Sequence, residues 1–310
     1  MLYWESLTTS LREIRNNLRV VVLTSTALVV ATAAAVAAAA HGLGLEWGPA
    51  WVLGAALAPT DATAVGVLAR DLPRRTVTVL RAESLINDGT ALVLYGLAVG
   101  VTVGEEHLTG WHVSWLLVLA YGGGVLAGVL IGLVSWQLRR RMDDPMLEGI
   151  AMLVTPFAAF LLADAVHGSG VLAVVVCGLF MSQVAPRITG AETRQIVIPF
   201  WALSTTVLSS ALFVLVGLSA QSAFRGLDST STLRALLDVL VVTAVVIGVR
   251  WVWLYTTPYL IRLLDRRPAQ RLRRVPARER TVSAVAGFRG AVSLAAIGRA
   301  SCRERVSLTV

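Results

Sequence analysis

The chain has 310 residues, of which 56% are hydrophobic and only 15% charged, and its mean hydropathy is +0.72; an ordinary soluble domain carries roughly a quarter charged residues. This balance argues against a single soluble core. The formal charge of +8 does not point to nucleic acid either, because every one of the 27 basic residues is arginine and most lie in short segments between apolar runs, a placement suited to an anionic membrane leaflet. Cys177 lies in an apolar run and Cys302 near the carboxyl end, so no disulfide framework is implied. The short, polar, arginine-bearing amino terminus does not read as a signal peptide.

A helix needs about 20 apolar residues to cross a bilayer. On that requirement nine spans are expected, at about 20–40, 49–68, 76–100, 114–137, 146–166, 169–186, 197–219, 235–260 and a short one at 281–297. The fold class is therefore all-α and polytopic, with no soluble domain. Arginines alternate between the loops: Arg12, Arg15 and Arg19 precede span one, Arg70, Arg74 and Arg75 follow span two, and Arg139 to Arg141, Arg187, Arg194 and the cluster from Arg262 to Arg280 continue the series. Of the intervening loops only the one near 220–234 carries any, Arg225 and Arg234. The positive-inside rule then places the amino terminus in the cytoplasm, and an odd number of spans leaves the carboxyl end outside.

Pro59 falls near the middle of the second span, where it removes an amide donor and restricts Ala58. A break at membrane depth is tolerated only where backbone groups line a cavity or are satisfied by neighbours. Taken alone, Pro59 reads as a simple kink; Asp61 directly after Thr60 favours an interrupted helix that offers carbonyls and a helix end to an ion. In the third span, at 100° per residue, Ser84, Asn87 and Asp88 share one arc, with Glu83 and Thr90 at its edge. Ionisable residues within a span are costly and mark a functional site by default. Asp61 and Asp88 both lie near the centres of their spans, so antiparallel neighbours would bring them to one depth. Two carboxylates, an amide, hydroxyls and helix-break carbonyls form an all-oxygen site suited to a hard cation, with no histidine or cysteine ligand. Burial favours the protonated form of a carboxyl group and a nearby cation favours the ionised form. Protons and cations would thus compete for the same oxygens, which is all an exchanger requires.

Further along, Gly124, Gly128 and Gly132 recur every fourth residue and make a close-packing face in lipid, either as a homodimer seam or as packing within the chain. Asp164 and His167 sit at a span end and read as solvated, and His41, His107 and His112 as loop residues. Arg250, mid-span between Val249 and Trp251, reads as structural rather than as part of an ion path.

Four stretches together resemble the monovalent cation/proton antiporters, in their sodium/proton exchanger branch. They are Ala58-Pro59-Thr60-Asp61, Glu83-Ser84-Leu85-Ile86-Asn87-Asp88-Gly89, Phe213-Val214-Leu215-Val216-Gly217 and Gly287-Phe288-Arg289-Gly290-Ala291-Val292. Their order and spacing also match, over about Leu2 to Ile297, and Leu161 to Gly178 resembles another core stretch. The resemblance implies an inverted-repeat fold with a broken helix at Pro59. It makes Asp88 the main ion- and proton-binding carboxylate, with Asn87 as its partner and Asp61, Ser84 and the Thr60 backbone as further ligands of a monovalent cation held at Asp61 and Asp88. It also pairs Glu83 with Arg289; two charges that are each expensive in a membrane offset much of that expense by hydrogen-bonding to one another, although Arg289 alone could snorkel to an interface.

By the same resemblance the activity is secondary active exchange of sodium, or another monovalent cation, for protons by alternating access, serving pH homeostasis in a bacterial inner membrane. The implied partners are those ions and the lipid bilayer, with no enzyme chemistry, no nucleic acid and no cofactor beyond the transported sodium ion and proton. The transporter domain is expected over 1–297, lacking the family's first spans and last part. Residues 298–310 are expected to be a non-family tail: three arginines in seven residues cannot continue a span, and the string from Ile297 to Val306 resembles a translated sequencing adapter. A family site acid falls near Glu5 but one position out of register, and is not carried over. Two other classes stay open on the residues alone. An intramembrane aspartyl protease also pairs aspartates on neighbouring spans, though Asn87-Asp88-Gly89 lacks the Gly-x-Gly-Asp context expected there; an uncoupled cation channel or structural membrane subunit would line a pore with the same acids.

Overall fold

The computed structural model describes residues 1–9, 11, 14, 21–60, 74–104, 110–225, 229–264, 281 and 284. Among the described residues the elements are helical: α1 (Leu2–Thr8), a π-helical turn (Leu23–Ala27) leading into α2 (Leu28–Gly42), α3 (Trp47–Leu57), α4 (Arg74–Val103), α5 (Gly110–Arg139), α6 (Pro145–Ala165), α7 (Gly170–Ile188), α8 (Ala191–Arg225) and α9 (Ser229–Leu264). Seven helices among the described residues are long and apolar enough to cross a membrane, against nine expected. Of the second expected span the described residues hold the 11-residue α3, and the part from Asp61 onward lies outside them. The ninth lies almost wholly outside the described residues.

Contacts divide the helices into two bundles. The π-helical turn, α2, α3, α4 and α9 form one; α1, α5, α6, α7 and α8 form the other; they meet where α4 touches α7, α1 and α5. Small residues make each bundle tight. The buried face of α2 carries Thr32, Ala33, Val36, Ala37 and Ala40, so Gly54 of α3 comes against the Ala33 carbonyl with no room for a Cβ. The glycine face of α5 resolves in favour of packing within the chain. A Cβ on Gly124 would lie 2.8 Å from the Ser169 carbonyl oxygen, and one on Gly132 2.8 Å from a Phe180 ring carbon, both residues belonging to α7 or its cap. The Ser169 amide also bonds the Ala120 carbonyl of α5 at 2.9 Å, and its hydroxyl caps α7 by accepting from Leu172 N at 3.2 Å. At α6 the Asp144 carboxylate accepts from Met146 N at 2.8 Å, with Pro145 at the first helical position.

The second bundle also buries charge. Arg139, the first of three arginines that read as loop residues, has its side chain fully enclosed, and its Nη2 donates to Glu148 Oε1 at 2.7 Å and to Thr189 Oγ1 at 2.6 Å. Thr193 Oγ1 donates to the other Glu148 oxygen at 2.8 Å, so one network ties α5, α6, α7 and α8 together. Only Arg140, stacked over the Trp136 ring at 5.0 Å, and Arg141 behave as exposed loop charges. Asp164 and His167 are exposed at the end of α6, as expected, and His41 is exposed, stacked on Trp47 at 4.1 Å.

Candidate functional site

The site is built where the end of α3 meets the middle of α4. Helix α3 stops at Leu57; Ala58 keeps helical angles (φ −68°, ψ −40°), so the preference of a pre-proline residue for extended backbone is overridden and the break falls at Pro59 itself. The last carbonyls of a helix lack partners within it and carry partial negative charge, an environment that favours a cation. Thr60, immediately past the break, is buried.

Facing it, α4 keeps its polar arc inside the protein. Glu83, Ser84, Asn87, Asp88 and Thr90 are each between 2% and 6% exposed. Asn87 Nδ2 donates to Thr60 Oγ1 at 2.7 Å, joining the interrupted helix to the Asn-Asp pair across 27 positions of sequence. Thr90 turns its hydroxyl onto its own helix, donating to the Ile86 carbonyl at 3.1 Å. Asp88 and Ser84 lie in this enclosed region and are engaged there. The structure thus joins Thr60 to Asn87, with Ser84 and Asp88 buried on the same helix α4, while Asp61 lies outside the described residues.

Glu83 finds its partner on α9. Arg250 Nη1 donates to Glu83 Oε1 at 2.8 Å, and both side chains are only 4% exposed. Arg289, the partner expected from the family resemblance, lies outside the described residues; among those described, Glu83 pairs with Arg250. A small cavity adjoins the pair, lined by Thr32, Thr60, Asn87, Glu83 and Arg250 with an apolar wall from Leu28, Val29 and Ala58. Thr32 escaped the sequence reading because it is a single hydroxyl in an alanine run. Arg250 carried a signal, a charge in mid-span, but nothing in one sequence states which helix lies against which.

These features define a polytopic helical membrane protein in which a helix ending before Pro59 meets a buried Asn-Asp pair beside a buried ion pair. The chain belongs to the transmembrane sodium/hydrogen exchanger family, whose pattern it matches over residues 1–303. It is 47% identical over 298 residues to an uncharacterised Na+/H+ exchanger of Mycobacterium tuberculosis, covering 96% of this chain and 55% of that protein. It is 30% identical over 288 residues to the Na+/H+ antiporter ApNhaP of Aphanothece halophytica, covering 92% and 53%. The chain therefore spans about half the length of these curated relatives. Among solved structures, the sodium proton antiporter MjNhaP1 of Methanocaldococcus jannaschii superposes with a TM-score of 0.59 at 18% identity, over 96% of this chain and 69% of that one, a likeness of fold.

Proposed function

We propose that the protein exchanges sodium, or another monovalent cation, for protons, with Asp88 as the group that binds either ion. The observation that carries this reading is the buried Asn87–Thr60 hydrogen bond of 2.7 Å, because it ties the residue just past the end of α3 to the neighbour of Asp88 in the Asn-Asp pair. Oxygens of Asp88, Ser84, Thr60 and Asp61 would supply a hard cation's ligands, and the negative end of α3 adds to its stabilisation. A proton on Asp88 removes the charge the cation needs, so the two ions exclude one another. Glu83, matched by Arg250, is held as a structural ion pair rather than as a second ion ligand.

The two-bundle division supports alternating access, in which the bundle holding α3 and α4 moves against the one holding α5 to α8 and exposes the site to either side in turn. Arginine placement supports an inner-membrane protein with residue 1 on the cytoplasmic side. The test is sodium-driven proton movement in vesicles reconstituted with the whole protein. Asp88→Asn should abolish it, since an amide can neither take up the proton nor supply charge to the cation; exchange at the wild-type rate in that variant would remove Asp88 from the mechanism.

A further inference from the structure

The cavity beside the Glu83–Arg250 pair contains a polar atom that the fold leaves unanswered. Asn87 uses its Nδ2 on Thr60, and its Oδ1, fully enclosed, has no hydrogen-bond partner among the described residues. Turning the amide over does not remove the difficulty: the oxygen would then face Thr60, and the amide hydrogens would face the cavity instead. An unsatisfied buried amide is unfavourable enough that a guest is expected wherever the space is polar.

The lining dictates what that guest is. Glu83 and Arg250 form an ion pair on the cavity wall, so the carboxylate there is matched by a guanidinium and the lining calls for neither a cation nor an anion. Thr32 Oγ1 donates its hydrogen to the Leu28 carbonyl at 2.7 Å, which leaves this buried hydroxyl as an acceptor on the cavity wall. Thr60 Oγ1, accepting from Asn87, can still donate. The guest must therefore be small and neutral, give two hydrogen bonds and accept at least one. Water has that inventory.

We propose that this cavity holds an internal water donating to Asn87 Oδ1 and to Thr32 Oγ1, and that Thr32 is in consequence a positioning residue for the Asn87 amide beside Asp88. Its effect on ion binding rests on the exchanger reading above; its effect on Asn87 does not. Thr32→Val keeps the shape and removes the hydroxyl. In the whole protein, Thr32→Val should lower the melting temperature in the wild-type background and change it much less in an Asn87→Ala background, because the water then has no amide to bridge. Equal lowering in both backgrounds, or none in either, would overturn the bridge. In vesicles, Thr32→Val should raise the sodium concentration for half-maximal exchange several-fold with the maximal rate retained, and Thr32→Ser should restore it. An unchanged half-maximal concentration alongside a positive thermal cycle would overturn the positioning role. Failure of the wild-type protein itself to exchange would instead sink the functional reading, with the thermal cycle still deciding the water.

Discussion

Glu83 and Arg250 are exacting residues, since both charges are buried and meet at 2.8 Å. Removing one partner strands the other: Glu83→Gln and Arg250→Gln should each destabilise the protein by roughly 3–5 kcal/mol. The double variant should lose less than the sum of the two, as measured by a thermal-unfolding cycle; strict additivity would show that the pair is not coupled. At this scale the sequence was half legible. Glu83, Asn87 and Asp88 stood out because an apolar run has no other use for them. Arg250 was visible as an anomaly but not as Glu83's partner, because pairing is settled by which helices touch. Arg139 was hidden altogether: in a run of three arginines nothing marks the one whose last helical turn faces Glu148 rather than water.

Between residues and the whole molecule, small side chains set how near the helices come. Gly128 of α5 sits so close to α7 that a Cβ there would lie 2.5 Å from the Ala173 carbonyl oxygen, whereas a Cβ on Gly122 of the same helix would meet nothing within 4 Å. Gly128→Ala should therefore destabilise by about 1–3 kcal/mol through forced separation of α5 and α7. Gly122→Ala, by contrast, should be neutral or slightly stabilising, because alanine has the better helix propensity. Thermal melting of both variants in one detergent checks the contrast. The four-residue glycine spacing announced a close-packed face in the sequence and could not say whether its partner was another copy or the same chain; α7 is the answer the contacts give. The break of the second span was legible for a different reason. Proline alone does not decide it, since Pro156 and Pro199 sit inside continuous helices; the acid Asp61 just past Pro59 is what favours an interruption there over a kink.

Across the whole molecule, the division into two bundles has no sequence signature, because it depends on contacts between segments far apart in the chain. It nonetheless carries a mechanical consequence. Among the described residues, part of the seam is a small apolar cluster in which Leu179 of α7 packs against Ile14, Val21 and Ala82, with Ile86 alongside. If exchange requires the α3–α4 bundle to move past α7, a covalent link through this cluster should stop it without touching any ion ligand. Ala82→Cys with Leu179→Cys, in a protein whose Cys177 and Cys302 have both been replaced by alanine, supplies such a link on oxidation. Oxidised protein should retain sodium binding yet lose sodium-driven proton movement, and reduction should restore the movement, since the same side chains are then free to slide. A single-cysteine control carried through the same oxidation should keep its rate. Full exchange by the demonstrably cross-linked protein would mean that the two bundles do not move against one another at this seam, and that the site opens to the two sides by some smaller rearrangement within the α3–α4 bundle itself.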